Sequence, residues 1–360
     1  MGISLTSTHA RAIQKTFFFL TLPLSVIYFL LIWINRFLGS KSARSLGSKT
    51  LSVGNLYVGG TGKTPTVIAL VDSLKTEGYD VVVLSRGYKS GLDKHTFGLY
   101  KNKKLLLSYP TQSDSCGADE AKLIHDSTGV DSLFGAQRHR AVEWYLRSHE
   151  PPDIWILDDG FQHHKIKRDL DILLFDYNLD LRKEFLLPFG FLREPLFFAK
   201  FSDFIGFTKG KNALDQPEWA AELFLDKPKY IIHQNDLGLF ELAPDGLPKE
   251  SAISNNQKCV FVSGIADPEN VLRELKSQNI IVEANYFVGD HAQFNEKKLA
   301  ELGKIYHVVI TTEKDVARSS DLFHRYFDKV VIKRIKYTFC EKFKKDLLNK
   351  LKHLKPAMKS

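Results

Sequence analysis

A glycine-rich segment that ends in Lys-Thr-Pro is the part of this chain whose residue types are best suited to chemistry. It comprises Gly59, Gly60, Thr61, Gly62, Lys63, Thr64 and Pro65. Glycines let backbone N–H groups approach phosphate oxygens without a Cβ clash, a lysine reaches the outer phosphates, and a hydroxyl holds Mg²⁺. The segment therefore predicts a loop that binds ATP, with Thr64 as a ligand of Mg²⁺ and Lys63 acting on the transferred phosphate.

The surroundings of this loop favour the same interpretation. The apolar residues 51–53 predict a buried strand before it, and an apolar helical stretch follows, with Pro65 suited to a first helical turn. The general motif has a further glycine where this chain has Tyr57, so Gly59 and Gly60 must provide the flexibility. The alternative is a turn with a chance Gly-Lys-Thr, and the flanking strand and helix argue against it.

Acidic residues at two other points suit the same chemistry. Asp158 and Asp159 follow an apolar strand pattern, and parallel strands present their carboxyl ends at the edge of the sheet where ligands bind. We interpret them as ligands of Mg²⁺ or of its water shell, the alternative being a turn with an Asp cap. Asp119 opens a helix and is either its N-cap or the base that accepts a hydroxyl proton, and the residues alone leave both open.

Three further segments are compatible with a binding site. Arg86 follows the second predicted strand and either binds a phosphate or holds a turn. Arg193 and Glu194 lie in an aromatic stretch that forms either a lipid-adjacent loop or a packed turn. His291 follows Asp290 in the second half of the chain, and a lone histidine is more often structural than catalytic.

The composition restricts the class of protein. Of 360 residues, 44% are hydrophobic and 26% charged, as in a folded protein rather than a disordered one. The net charge of +8 favours anionic partners, but the basic residues are dispersed and no recognition motif is evident, so no nucleic-acid partner is predicted. No disulfide framework is evident for the three cysteines, Cys116, Cys259 and Cys340, which fits a reducing compartment. A zinc site is not predicted at His163 and His164, because no further ligands stand at a suitable spacing.

Residues 16–34 form an apolar segment without a charge. As a helix it is long enough to cross a hydrocarbon core of about 30 Å, and it predicts a membrane anchor with phospholipid as a partner. Basic residues flank both ends and do not determine orientation, and Pro23 also permits a helix that dips into one leaflet. A buried core helix is the alternative, although a helix that is apolar all round is more often in lipid. ATP chemistry would place the bulk of the chain in the cytoplasm.

The rest of the chain alternates buried-strand and helical patterns, which predicts an α/β fold with a P-loop-type, doubly wound sheet. A polar stretch separates two such patterns, and a basic amphipathic helix ends the chain, where it packs on the domain or lies on an anionic membrane. The predicted division is an anchor helix with a basic linker (1–48), a P-loop domain (49–226), a linker with room for a β-hairpin (227–257), a smaller α/β domain (258–338) and the basic helix (339–360).

Taken in order, the motifs resemble those of the tetraacyldisaccharide 4′-kinase family of lipid A biosynthesis. They read GNLYVGGTGKTP, SRGY, GADE, DDGFQH, FLREP, SGIADP, GDH and TTEKD, between Leu51 and Arg318. The resemblance implies transfer of the ATP γ-phosphate to the 4′-hydroxyl of a tetraacylated disaccharide 1-phosphate at the cytoplasmic face of the inner membrane. It also implies a P-loop α/β domain joined to a smaller α/β domain.

The resemblance assigns roles to matched positions. Lys63 and Thr64 match the phosphate-loop lysine and hydroxyl, Asp119 matches the proposed base, and His291 matches the partner of that base. The acids linked to magnesium are Glu120, Asp158 and Asp159. The cleft positions predicted to contact substrate are Arg86, Tyr88, Arg138, Gln162, His163, Arg193, Glu194 and Asp290.

Two functions from other classes compete with the kinase. A membrane-tethered P-loop ATPase or switch would hydrolyse nucleotide without a lipid acceptor, and a lipid-binding protein would transfer no phosphate. Acids and a histidine accompany the loop in the order of the family, which favours the kinase. The family commonly reads GDE where this chain reads Gly-Ala-Asp-Glu at residues 117–120, so one residue is shifted or inserted there.

Overall fold

The apolar N-terminal segment forms a long helix. The computed structural model describes residues 18–88, 90–109, 118–210, 213–221, 223–224, 226–243, 248–250, 258–290 and 292–354. Helix α1 spans Phe18–Lys41 and contains Pro23. Its stretch Pro23–Lys41 has a mean hydropathy of 1.4 and is only 11% buried against the rest of the chain. By length and composition, α1 is able to cross a membrane, whereas a helix in a soluble core would be mostly buried.

The first part of the chain builds a mainly parallel sheet. Its strands are β1 (Lys49–Asn55), β2 (Val81–Ser85), β3 (Gly98–Lys101), β4 (Lys104–Leu107), β5 (Ser132–Phe134), β6 (Ile154–Asp158), β7 (Leu170–Asp176) and β8 (Phe204–Thr208). Its helices are α2 (Lys63–Thr76), α3 (Asp119–Thr128), α4 (Arg138–Tyr145) and α5 (Glu218–Ala221), with 3₁₀ turns at Leu181–Lys183 and Leu196–Phe201. The strand order is β8-β7-β1-β6-β2-β5-β3-β4, parallel from β8 to β5 and antiparallel at β3 and β4.

The second part of the chain continues the same sheet. Its elements are β9 (Lys229–Leu242), β10 (Pro248–Glu250), β11 (Cys259–Ser263), α6 (Pro268–Ser277), β12 (Val282–Phe287), α7 (Glu296–Gly303), β13 (Val308–Thr312), α8 (Glu313–Tyr326), β14 (Lys329–Phe339) and α9 (Glu341–His353). These strands extend the sheet beyond β8 in the order β12-β11-β13-β14-β9, with β9 next to β8. The start of β9 pairs parallel with β8, and β9 pairs antiparallel with β14 along most of its length. Strand β9 also pairs antiparallel with β10 inside the segment predicted as a linker. The division into domains stays a prediction.

Alternation along the strands explains why helices cover both faces of the first part of the sheet. In β2 and β6, Val83 and Ile156 belong to a core cluster under α2, whereas Leu84 and Leu157 belong to a cluster under α4. Successive residues of a strand point to opposite faces, so the two clusters lie on opposite sides. The α/β, doubly wound fold class is therefore confirmed.

The C-terminal helix packs on the same sheet as the glycine loop. Phe343, Leu347 and Leu351 of α9 are buried in one cluster with Leu51 of β1 and Leu70 of α2. These three residues recur at a spacing of four, which puts them on one helix face. Of the two interpretations of this basic helix, the structure shows packing on the domain over Glu341–His353.

Candidate functional site

The glycine loop turns directly into the N-terminus of α2. Gly62 has a φ of 72° at the N-cap position, and no side chain caps the helix there. A Cβ at Gly62 would lie 2.6 Å from Oη of Tyr337, so glycine is required both for the left-handed backbone and for the close approach. Gly60 is similarly close to the second part of the chain, since a Cβ there would lie 3.1 Å from that of Ala266. The uncapped N–H groups and the helix dipole make this end of α2 suited to an anion.

The loop lysine lies between two oxygen atoms. Lys63 Nζ is 3.4 Å from Oδ1 of Asn55 and 3.5 Å from Oδ1 of Asp159. Arg193 Nη1 is 3.0 Å from Oδ2 of the same Asp159. Burial raises the pKa of Asp159, but Lys63 and Arg193 outweigh it and hold that pKa below its usual value. Asp159 is thus an ionised carboxylate that positions the two cations.

The neighbouring carboxylate has a different environment. Asp158 is 2% exposed, and its Oδ1 accepts no hydrogen bond from the residues that the structure describes. Burial, with the charges of Glu120 and Asp159, raises the pKa of Asp158 to about 7. Strand register explains its place, because Asp158 pairs with Val53 at the carboxyl end of β1, just before the glycine loop.

A buried carboxylate with one oxygen that accepts no hydrogen bond from the described residues, beside a phosphate loop, fits a site for a divalent cation. Within the described ranges, no group of three or more His, Cys, Asp or Glu side chains forms a complete metal site. Mg²⁺ does not need one, because it commonly takes one or two carboxylates and completes its shell with water and substrate phosphates. The residues present therefore fit Mg²⁺ bound together with a nucleotide.

Arg138 binds the backbone of Asp158 and Asp159. It is 2% exposed, and its guanidinium donates to the backbone oxygens of Asp158 at 2.5 Å and of Asp159 at 3.2 Å. Burial lowers the pKa of Arg138, the acids oppose that shift, and the charge of Arg86 adds to it. The side chains of Arg86 and Tyr88 are exposed after β2. Arg138 thus holds the loop backbone, whereas Arg86 and Tyr88 are accessible.

Asp119 is the first residue of α3, not its N-cap. The N-cap is Ala118, and Oδ1 of Asp119 accepts a 2.9 Å hydrogen bond from the N–H of Glu120. Helix α3 packs on α2 through Ile124, which shares a core cluster with Val67. The structure therefore sets both acids at the start of a helix that packs beside the loop helix, and the role of Asp119 as a base stays a prediction.

Gln162 and Glu194 connect to the loop through backbone and side chains. Gln162 Nε2 donates to the carbonyl of Asn55 at 2.8 Å and to Oε2 of Glu194 at 3.1 Å. Glu194 is 1% exposed and also contacts Arg36 of α1.

His163 is a neutral side chain at this site. Burial, followed by the charges of Arg138 and Arg168, lowers the pKa of His163 to about 3, so this imidazole is neutral at pH 7.

The remaining predicted residues lie in the second part of the chain. Asp290 accepts from Lys314 Nζ at 2.9 Å, next to the start of α8. His291 lies outside the described residues. The cluster around Lys63 therefore unites the glycine loop, Asp158, Asp159, Arg138, Gln162, Arg193 and Glu194, whereas Asp290 pairs within the second part.

Sequence reasoning missed four residues that touch this cluster. They are Asn55, Arg36, Ala266 and Tyr337. Asn55 could have been found, because a polar residue at the end of an apolar strand immediately precedes the loop. Arg36 carried a weaker signal as a cation just after an uncharged segment. Tyr337 and Ala266 carried none, since their contacts depend on how distant parts of the chain pack.

A parallel sheet with a glycine loop, a loop lysine and buried acids beside it defines a P-loop nucleotide-binding protein. A sequence model of the tetraacyldisaccharide-1-P 4′-kinases matches residues 17–352. The chain is 30% identical over 299 residues to a tetraacyldisaccharide 4′-kinase of Pelobacter propionicus, covering 81% of this chain and 80% of the relative. It is 31% identical over 287 residues to one of Geobacter metallireducens, covering 78% and 82%.

A solved structure agrees with these relatives. LpxK from Aquifex aeolicus, described as an apo form in complex with ATP, superposes with a TM-score of 0.71 at 28% identity, covering 94% of this chain and 99% of its own. This chain belongs to the tetraacyldisaccharide-1-P 4′-kinase family. The predictions of the family and of a kinase are confirmed.

Proposed function

We propose that this chain transfers the γ-phosphate of ATP to the 4′-hydroxyl of tetraacyldisaccharide 1-phosphate in lipid A biosynthesis. The observation that carries the proposal is the position of Lys63, between Asn55 and Asp159 at the uncapped N-terminus of α2. The names of the relatives supply the acceptor.

The loop binds the phosphates of ATP through residues 59–65. Backbone N–H groups at the start of α2 face the phosphate oxygens, and Lys63 moves from Asp159 toward the transferred phosphate. Arg193 stays with Asp159, so this carboxylate does not become an unpaired charge when the lysine moves. Such a site acts mainly by positioning and by neutralising charge.

Thr64, Glu120, Asp158 and Asp159 would hold Mg²⁺, and when bound it would neutralise charge on the phosphates. The raised pKa of Asp158 supports this assignment, because a carboxylate that is costly to ionise alone is stabilised by a nearby cation.

Asp119 acts as the base that accepts the proton of the 4′-hydroxyl, with His291 as its partner. Arg86 and Tyr88, exposed after β2, are the accessible candidates for contact with the acceptor, and His163, neutral at pH 7, offers a hydrogen-bond donor or acceptor. Asp290 belongs to the second part of the chain, next to His291.

Helix α1 places the kinase on the inner membrane, with the α/β sheet on the cytoplasmic face. The exposed apolar surface of α1 supports contact with phospholipid, and the acylated substrate resides in the same membrane.

The first test is transfer of ³²P from γ-labelled ATP to tetraacyldisaccharide 1-phosphate with Mg²⁺. We expect labelled lipid with the wild type and a loss of about 100-fold with Lys63→Ala. Labelled free phosphate without labelled lipid would favour the ATPase or switch instead.

The base assignment has its own test. Asp119→Asn should lower kcat by about 100-fold or more while the KM for ATP stays within about twofold, because a general base acts only on the chemical step. Asp126→Asn is the matched control, since Asp126 is on the same helix in an exposed pair with Lys122. A change in the KM for ATP alone would contradict the assignment.

A further inference from the structure

A chain of polar contacts joins helix α1 to the phosphate-binding loop. Arg36 Nη1 lies 3.3 Å from Oε1 of Glu194, whose Oε2 accepts from Gln162 Nε2 at 3.1 Å. Gln162 Nε2 also donates to the backbone oxygen of Asn55 at 2.8 Å, and Asn55 Oδ1 accepts from Lys63 Nζ at 3.4 Å. Four contacts therefore connect a cation of the apolar helix with the loop lysine.

The first contact of this chain is a buried ion pair. The side chains of Arg36 and Glu194 are 12% and 2% exposed. The guanidinium also lies over the rings of Phe161, Phe198 and Phe201, at 5.2, 4.8 and 4.0 Å from their centroids. A buried pair of this kind has a defined geometry, and removal of one partner leaves an uncompensated charge. Nε2 of the buried His164 also lies 3.6 Å from the same Oε1. Arg36 is the cation of α1 that, together with His164 and Gln162, holds the Glu194 carboxylate in place.

Other contacts determine the position of α1 on the sheet. A Cβ at Gly39 would lie 2.6 Å from Cβ of His164, so the helix backbone approaches closely there. Tyr28 Oη donates to the backbone oxygen of Arg193 at 3.2 Å. Arg193 in turn contacts Asp159, the second partner of Lys63. The docked helix therefore contacts residues on both sides of the loop lysine, Glu194 through Arg36 and Arg193 through Tyr28.

We propose that Arg36 is a positioning residue for phosphoryl transfer, which holds Glu194, Gln162 and Asn55 so that Lys63 faces the phosphate site. The inference rests on the proposed function for its kinetic consequence only. It assigns Glu194 to positioning rather than to substrate contact, in line with its burial. Because Arg36 belongs to α1, the kinase site is then complete only when α1 packs on the sheet.

The kinetic test compares Arg36→Met with wild type in the lipid phosphorylation assay, using the full chain in detergent micelles. We expect kcat to fall about tenfold with the KM for ATP within about twofold, because Arg36 acts on the geometry of the loop lysine rather than on nucleotide affinity. Arg36→Lys, which keeps the charge, should recover most of the loss. Arg44→Met is the matched control, because Arg44 follows the same helix and pairs with Glu143 on the surface, where the two side chains are 68% and 59% exposed.

A second readout needs no acceptor. The rate at which a small amine-reactive ester labels Lys63, measured by mass spectrometry without nucleotide, should rise about threefold in Arg36→Met, because the lysine loses an ordered partner. A wild type that transfers no phosphate would overturn the proposed function only, and the labelling rate would still decide the role of Arg36.

The double variant Arg36→Met/Glu194→Gln covers the case in which Arg36→Met does not fold. It removes the unpaired charge and keeps an oxygen acceptor for Gln162. We expect the double variant to fold. Its kcat should still be lower than that of wild type, and Lys63 should still be labelled faster, because the Arg36 contact is absent. An unchanged kcat, or an unchanged labelling rate, in the folded Arg36 variant would overturn the inference.

Discussion

At the scale of single residues, the site separates two adjacent carboxylates by their surroundings. Asp159 is paired with Lys63 and Arg193, and its pKa is held low, whereas Asp158 has an orphaned oxygen and a pKa of about 7. Arg138 donates to the backbone oxygens of both residues, and its positive charge lowers the pKa of both carboxyls. One acid therefore orders Lys63 and Arg193, and the other is suited to a cation that arrives with the nucleotide.

This difference predicts a pH-dependent gain of stability in Asp158→Asn. The carboxyl of Asp158 has a pKa of about 7 in the folded chain and about 4 when unfolded, so between these values the unfolded chain loses a proton that the folded chain keeps. Wild-type stability therefore falls as pH rises through this window, and the asparagine variant avoids that loss. Without nucleotide, the variant should be more stable than wild type at pH 8 by about 1–3 kcal/mol, with a smaller difference near pH 5.

The measurement is urea unfolding of both proteins in detergent at the two pH values, with and without Mg²⁺ and ATP. The variant should also lose most of the stabilisation that magnesium and ATP give the wild type. Asp328→Asn is the control, because that carboxylate is 80% exposed beside His307. If the two variants behave alike, burial of Asp158 is not the cause.

At the scale of elements, the glycine loop is constrained by a strand that comes far later in the chain. Tyr337 of β14 packs on Gly62, and Ala266, just after β11, approaches Gly60. Strand β14 and the segment after β11 thus do more than build the sheet, because they also lie against the glycine loop.

Gly62→Ala should therefore be more damaging than its backbone angle alone explains. Gly129, which ends α3, has a φ of 73° and nothing within 4 Å of a built Cβ, so Gly129→Ala measures the cost of the left-handed conformation by itself. We expect about 1–2 kcal/mol of destabilisation for Gly129→Ala and a larger loss for Gly62→Ala, with weakened ATP binding only in the latter. Urea unfolding and a nucleotide-binding titration give both quantities. If the two variants were destabilised equally, the Tyr337 side chain would be able to move away from the added methyl group at no cost in stability.

Signals within one element predicted much of this site. The glycine loop, its strand and its helix are local features of residues 51–70, and the acids of 158–159 follow their own strand. Asn55 adjoins the loop, yet its role became visible only through Gln162, which lies 107 residues away. A pattern of residue types and spacings indicates local geometry. Contacts between distant residues, such as Gln162 and Asn55, depend on how the elements pack.

At the scale of the whole molecule, α1 combines two surfaces. One side docks on the sheet through Ser25, Tyr28, Arg36 and Gly39, and the other exposes large apolar side chains. A helix used only as a core element would bury such residues. This arrangement suits an enzyme that holds its active site against a lipid surface.

Leu31→Glu should release the chain from membranes. Leu31 of α1 is 60% exposed, and an acidic side chain in the hydrocarbon region is unfavourable by about 2–3 kcal/mol. We expect a clear fall in the fraction that floats with phospholipid vesicles. Leu214→Glu is the control, because Leu214 is 96% exposed on another part of the chain. If both variants float as the wild type does, α1 does not lie in lipid.

The sequence by itself determined the family, the α/β fold class, the apolar helix and the phosphate-binding loop. These follow from composition, periodicity and the order of short motifs, which act over a few residues at a time. Only the tertiary structure decided that Asp159 pairs with Lys63, that Tyr337 closes on Gly62, and that Arg36 reaches Glu194 across 158 residues. The physical reason is that burial and charge pairing depend on which distant segments share a core, and no local pattern encodes that choice.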